Sequence, residues 1–142
     1  MKSLAVLALS MLFVSPGSAA ADDRRHRFDG VWDTVLSCPN SNGALGFSFR
    51  FDSHVVESVL HGEQGTRGAP GWLALDGRIA DDGTANLYAD GLVGAAAFAV
   101  GQRPAGTRYG YHLDVRFGDT DGTGHRIEGR PCAVSFTRKP PA

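Results

Sequence analysis

Three residues that could do acid–base or metal chemistry, His112, Asp114 and Arg116, alternate along a predicted strand at residues 107–117. Because alternate residues of a strand point the same way, the three side chains share one face and could form a catalytic or metal-binding group. The intervening positions are large and apolar: Tyr109, Tyr111, Leu113, Val115 and Phe117. Since one face must form the core, we expect the trio to face water as an ordinary charged strand surface.

A second charged group, Arg126, Glu128 and Arg130, shares one face of the last predicted strand. If that strand forms a hairpin with residues 107–117, this group lies beside Asp114 and Arg116. The simpler interpretation is a ladder of exposed ion pairs, each worth about 0.2–1 kcal/mol. The alternative is a binding patch for a carboxylate or phosphate group, built on the arginines.

The Gly- and Pro-rich loop over residues 62–71 is the best candidate for a functional loop, since loops on a rigid scaffold commonly carry binding. It contains Glu63 and Arg67, and Trp72 follows it directly. An aromatic ring at that place could stack on a ligand. The alternative is that Trp72 packs against the edge of the fold.

Motifs for catalysis and for metal binding are missing from the sequence. No serine lies in a Gly-x-Ser-x-Gly context, and there is no His-Glu-x-x-His, calcium-loop or phosphate-loop pattern. His54 and His61 are seven residues apart on a predicted strand and therefore point to opposite faces. We expect no catalytic residue, no metal and no cofactor, and an enzyme is the less favoured interpretation.

The elements that must position these residues are short strands separated by tight turns. Residues 43–52 alternate with Leu45, Phe47 and Phe49 on one face, which is typical of a half-buried strand. Turn dipeptides such as Asp82-Gly83 recur at short intervals. The predicted strands cover residues 31–38, 43–52, 54–62, 72–79, 84–89, 95–100, 107–117 and 124–137. The alanine-rich sixth segment could instead form a helical turn, and Pro131 predicts a bend in the last one.

This pattern predicts an all-β domain, either a small antiparallel up-and-down β-barrel of seven or eight strands or a β-sandwich. Cys38 ends the first strand and Cys132 lies in the last, and these are neighbours in an up-and-down barrel. A disulfide between them therefore favours the barrel. The alternatives for the cysteines are two buried thiols or a metal pair, although no histidine lies at ligand spacing.

Residues 1–21 have the three parts of a secretory signal peptide: Lys2, an apolar run over residues 4–14, and small residues at 19–21. The apolar run is short of the roughly 20 residues that span a bilayer. We expect a periplasmic or secreted protein with no stable membrane insertion after cleavage. Residues 22–27 would form a flexible N-terminal segment, 28–138 the barrel domain and 139–142 a tail. Removal of Lys2 shifts the formal net charge of −1 to about −2, which argues against nucleic acid as a partner.

Residues 30–32, Gly-Val-Trp, resemble the Gly-x-Trp start of lipocalin-like and avidin-like (calycin-type) barrels, which implies that Trp32 plugs one end. Larger blocks resemble an uncharacterised exported domain of proteobacteria, found alone or appended to proteins such as caspase-like peptidases. They lie at residues 30–33, 37–39, 68–73, 75–79, 82–85, 122–124 and 128–132. That resemblance covers residues 28–137 and brings no known activity, so it assigns no functional residue.

The function we expect is that of an exported accessory binding module, which binds a partner protein or a small ligand through its loops. With eight strands or fewer, side chains nearly fill a barrel and leave room for at most one small ligand, which favours binding at the surface. The alternatives are a hydrolase of the cell envelope and a protein similar to periplasmic protease inhibitors. The identity of the ligand does not follow from the sequence.

Overall fold

The computed structural model describes residues 17–142, and within them the chain forms a closed barrel of eight antiparallel strands. Each strand pairs with the next along the chain, and the last pairs with the first. The strands are β1 Gly30–Cys38, β2 Phe47–Val56, β3 Val59–Gln64, β4 Leu73–Arg78, β5 Thr84–Leu92, β6 Arg108–Phe117, β7 Asp121–Arg126 and β8 Ala133–Arg138. The up-and-down barrel is confirmed, and the β-sandwich is excluded.

The alternation of apolar and polar residues decides which side chains point into the barrel. In β1, Trp32, Thr34 and Leu36 are fully buried. In β6, the residues from Tyr111 to Phe117 alternate between buried and exposed, with the apolar ones inside. The core therefore lies within the barrel, as the period-two pattern of the sequence predicts.

One end of the barrel is closed by aromatic rings around Trp32. The Trp32 ring lies edge-on to Phe117 with centroids 5.3 Å apart, and its Nε1–H donates to the Phe28 carbonyl over 3.0 Å. Phe136 packs on Phe117 at 4.8 Å, and the Arg138 guanidinium lies 5.3 Å from the Trp32 ring. Trp32 thus plugs this end, as the Gly-x-Trp resemblance implies.

The disulfide joins Cys38 and Cys132 and lies at the opposite end of the barrel. Ser37 pairs with Ala133 across the β1–β8 seam, so the two cysteines occupy the next opposed positions. The predicted cross-link is confirmed. It fastens the first strand to the last at the end that Trp32 leaves open.

The predicted strand over residues 54–62 is wrong, because a hairpin turn divides it. β2 continues to Val56, and Glu57 and Ser58 form the turn with φ angles of 49° and 64°. Both backbone N–H groups donate to the Asp29 carboxylate, over 3.0 and 3.1 Å. A residue distant in sequence therefore stabilises a left-handed turn that contains no glycine, and no local signal marks it.

The last predicted strand, residues 124–137, is also two strands. β7 ends at Arg126 and β8 begins at Ala133, and the connection between them includes Gly129, whose φ is 76°. Where the sequence predicts a bend at Pro131, the structure therefore has a loop that connects two separate strands. The alanine-rich segment at 95–100 contains a 3₁₀ turn, Ala96–Phe98, which agrees with the alternative of a helical turn.

A single α-helix, α1 at Gly17–His26, precedes the barrel within the described residues, and its side chains are exposed. It contains most of the segment 22–27 for which the sequence predicts a flexible conformation, and it spans the predicted cleavage site. Residues 1–16 lie outside the described residues, so most of the predicted signal peptide does too. Across residues 17–142, none of the helical segments has the length and apolar character needed to cross a membrane.

Candidate functional site

The barrel end opposite Trp32 opens into a cavity of about 820 Å³. Its walls come from the ends of β1, β5 and β7, the starts of β2 and β6, and the β5–β6 connection. Five aromatic rings line it: Phe47, Phe49, Phe98, Tyr109 and Tyr111. The cavity has the size and the apolar character of a small-molecule site.

Small residues and two pairs of packed aromatic rings form much of the cavity wall. Gly71, Gly94, Ala95 and Ala99 contribute to its wall. Phe47 and Phe49 pack together with centroids 5.0 Å apart, and Tyr109 and Tyr111 are stacked at 6.0 Å. The rings of these two strands are thus fixed by their own neighbours, and the space between them stays open.

Three positively charged residues line this cavity: Arg103, Arg126 and Arg130. Arg126 pairs across the sheet with Leu113, which places it on the inner face of β7. Its guanidinium lies 4.1 Å from the centre of the Tyr111 ring, and its Nε–H donates to the Glu128 carbonyl. Burial lowers the pKa of Arg126 from its ordinary value, because the charged form is partly removed from water.

Arg130 is 91% buried and holds the loops around the cavity together. Its Nη1–H donates to the Phe98 carbonyl over 2.8 Å, and Nη2–H donates to Pro39 over 2.7 Å and Leu45 over 3.1 Å. The guanidinium also lies 5.4 Å from the Phe47 ring. Arg130 therefore connects the β1–β2 loop to the 3₁₀ turn and acts as a positioning residue.

The hydroxyl of Tyr111 is buried and has no hydrogen-bond partner among the described residues. Burial raises the pKa of Tyr111 well above its ordinary value, and it raises the pKa of Tyr109 in the same direction. Both phenols therefore remain neutral hydroxyls at physiological pH. A neutral phenol can donate a hydrogen bond as well as accept one.

Neither sequence nor structure comparison detects a relative. No family model, curated protein or solved structure matches this chain. The site is therefore assigned from its own geometry. Phe47, Phe49, Phe98, Tyr109 and Tyr111 are the site residues that sequence reasoning missed. The available signal was the combination of inward aromatic rings at strand ends with the glycine- and alanine-rich stretch 94–99.

The predicted trio of His112, Asp114 and Arg116 lies on the outer face of β6, away from the cavity. His112 is 3.1 Å from the Glu128 carboxylate, and Asp114 accepts a hydrogen bond from Asn86 over 2.9 Å. The hydrogen bonds from His112 lower the pKa of Glu128. Within residues 17–142, no cluster of three or more His, Cys, Asp or Glu side chains could hold a metal ion.

The predicted ladder of Arg126, Glu128 and Arg130 on one outer face is wrong. Arg126 and Arg130 line the cavity, whereas the Glu128 carboxylate lies outside against His112. The physical reason is the end of β7 at Arg126. Beyond it the chain forms a loop, so the period-two rule that placed Glu128 and Arg130 on one face no longer applies.

Glu63, Arg67 and Trp72 do come together, but as a self-contained cluster. The Trp72 indole N–H donates to Glu63 over 2.6 Å, and Arg67 Nε lies 3.1 Å from the same carboxylate. These donors lower the pKa of Glu63. Trp72 is only 8% exposed and the Arg67 guanidinium lies 5.2 Å from its ring, so little of the ring is free to stack on a ligand.

Proposed function

We propose that this protein is an exported binding module that takes one small, largely apolar ligand into the open end of its barrel. The observation that carries the proposal is the cavity of about 820 Å³ lined by five aromatic rings. Small-molecule sites have volumes of about 300–1,000 Å³ and are lined mainly by apolar and aromatic groups. The cavity fits one such molecule.

The position of the cavity favours a ligand inside the barrel over a partner on its outer surface. Side chains nearly fill the half of the barrel around Trp32, where Phe28, Phe117 and Phe136 pack closely. In the other half, Phe47, Phe49 and Tyr109 are only partly buried although they point inward. Partly exposed rings on an inner face are surfaces that a ligand can cover.

The proposal includes export to the periplasm or beyond. A disulfide in a small domain is consistent with an extracellular location, since oxidising compartments maintain such bonds. The predicted signal peptide at residues 1–21 and the resemblance to a small exported domain of proteobacteria support the same conclusion. The calycin-type resemblance of the barrel start agrees with a ligand held at one end.

Binding of the uncharged fluorophore N-phenyl-1-naphthylamine tests the proposal, because its emission rises in an apolar site. Ala99→Trp puts an indole into the cavity wall, and we expect the dissociation constant to rise roughly tenfold or more. Ala133→Trp makes the same change on the outer face of β8 and should leave the constant unaltered.

Two results would overturn this assignment. One is no saturable binding of N-phenyl-1-naphthylamine by the unsubstituted protein. The other is an equal loss of affinity in the Ala99→Trp and Ala133→Trp variants, which would place the fluorophore outside the cavity.

A further inference from the structure

The charge balance of the cavity wall is one-sided. Three arginines contribute to it, and among the described residues that line it there is no aspartate or glutamate. Low-dielectric walls strengthen the field of such charges, which favours a ligand of the opposite sign. The apolar rings alone would give no preference for a charged ligand.

Arg126 lines the cavity, and its partners differ from those of the ion-paired strand arginines Arg50 and Arg108. Arg50 lies 2.7 Å from Asp33, and Arg108 lies 2.8 Å from Asp90. Each of these ion pairs joins two neighbouring strands on the outer face of the barrel. Arg126 makes no direct ion pair among the described residues, although the Glu128 carboxylate, which contacts His112, is near enough to favour its charged form. Its guanidinium rests on the Tyr111 ring, so a planar, pre-oriented donor faces the cavity with no direct ion pair.

Two further polar atoms of the same wall lack partners within residues 17–142. They are the Tyr111 hydroxyl and Nε of Arg130, and both residues are more than 90% buried. Buried polar groups are normally hydrogen-bonded, and an unpaired one costs free energy. Buried polar atoms without partners therefore lie in the same wall as the Arg126 guanidinium, and most of that wall is apolar.

From these observations we propose that the ligand is an amphipathic organic anion whose carboxylate, sulfonate or phosphate group contacts Arg126. The apolar body of the ligand lies between the phenylalanine pair of β2, Phe47 and Phe49, and the tyrosine pair of β6. Tyr111 is a positioning residue that supports the Arg126 guanidinium. This inference rests on the proposed function, because it requires that a small molecule occupies the cavity.

A matched pair of probes separates the charge from the shape. N-phenyl-1-naphthylamine and 1-anilinonaphthalene-8-sulfonate share one skeleton and differ by the sulfonate. We expect the unsubstituted protein to bind the sulfonate roughly ten- to a hundredfold more tightly, as a charge-assisted hydrogen bond would give. Arg126→Gln should remove most of that preference and change the affinity for the neutral probe by no more than about twofold.

Arg116→Gln is the matched control, since Arg116 is exposed on the outer face of β6 and its loss changes the net charge equally. It should leave both affinities unaltered. If the neutral probe binds but the sulfonate binds no more tightly, this inference is wrong and the proposed function stands. The same holds if Arg126→Gln weakens both probes equally. If the neutral probe shows no saturable binding, the proposed function itself fails.

Discussion

At the scale of the residue, Arg130 shows how a charged side chain can become part of a core. Its position in a run of alternating charges indicates an exposed residue, yet it is buried and bound to three backbone carbonyls. The planar guanidinium presents its donors in fixed directions, which suits three acceptors on two separate loops. Arg130 therefore adds side-chain hydrogen bonds to the one from the Leu45 N–H to the Ala97 carbonyl, which also joins these loops over 2.8 Å.

We expect Arg130→Lys to lower the free energy of unfolding by about 1.5–3 kcal/mol, because an ammonium cannot reach all three carbonyls. Urea unfolding followed by tryptophan fluorescence measures the change. Arg116→Lys, on the outer face, should stay within about 0.5 kcal/mol of the unsubstituted protein. Equal effects of the two substitutions would show that the carbonyl contacts of Arg130 do not stabilise the fold.

At the scale of the element, the β4–β5 hairpin is fastened to the end of β6 through Gly83. This residue has a φ of 88°, and its carbonyl accepts a hydrogen bond from the Phe117 N–H over 2.8 Å. A Cβ at position 83 would lie 2.2 Å from the Phe117 carbonyl oxygen. The turn thus requires glycine for two reasons, the left-handed backbone and the close approach of another strand.

Gly83→Ala should therefore destabilise the protein by more than the backbone conformation alone explains. Gly43, in the β1–β2 loop, has a φ of 80° but open space around its Cα, so Gly43→Ala isolates the conformational cost of about 1–2 kcal/mol. We expect Gly83→Ala to cost roughly 1–3 kcal/mol more, from overpacking. Thermal unfolding of both variants measures the difference. Equal losses of stability would show that the backbone of β6 moves away from the new Cβ at little cost in free energy.

At the scale of the whole molecule, the barrel has one filled end and one open end. Trp32 and its neighbours close the first end with apolar contacts. The second end has the cavity, and the Cys38–Cys132 disulfide and the hydrogen bonds of Arg130 connect its strands and loops. We expect this cross-link to offset the apolar contacts that the cavity leaves unmade.

Reduction of the disulfide tests whether the cross-link stabilises the open end, and it needs no substitution. The cysteines are 94 residues apart, and a loop of that length is worth about 4–5 kcal/mol in the chain-entropy model. We expect the free energy of unfolding in urea to fall by about that amount when dithiothreitol is added. Mass spectrometry after alkylation should find no modified cysteine before reduction and two after it. An unchanged unfolding midpoint would mean that the open end needs no cross-link.

Most of the fold could be predicted from the sequence, because strands with one buried face have a local signature. The alternation of Leu113, Val115 and Phe117 with charged residues was enough to place β6 and to orient it. The turn at Glu57–Ser58 could not be predicted, since its stabilising group belongs to Asp29. The cavity could not be predicted either, because the sequence does not give the distance between facing rings.

The sequence by itself determined the all-β class and the inner face of the long strands, since these depend on residue type and on a period of two, and it favoured a disulfide between its two cysteines. The tertiary structure alone decided that Arg126 and Arg130 turn inward and that the rings of β2 and β6 leave a space between them. Loops do not follow a strand's alternation, and the closure of a barrel sets distances that no single segment contains.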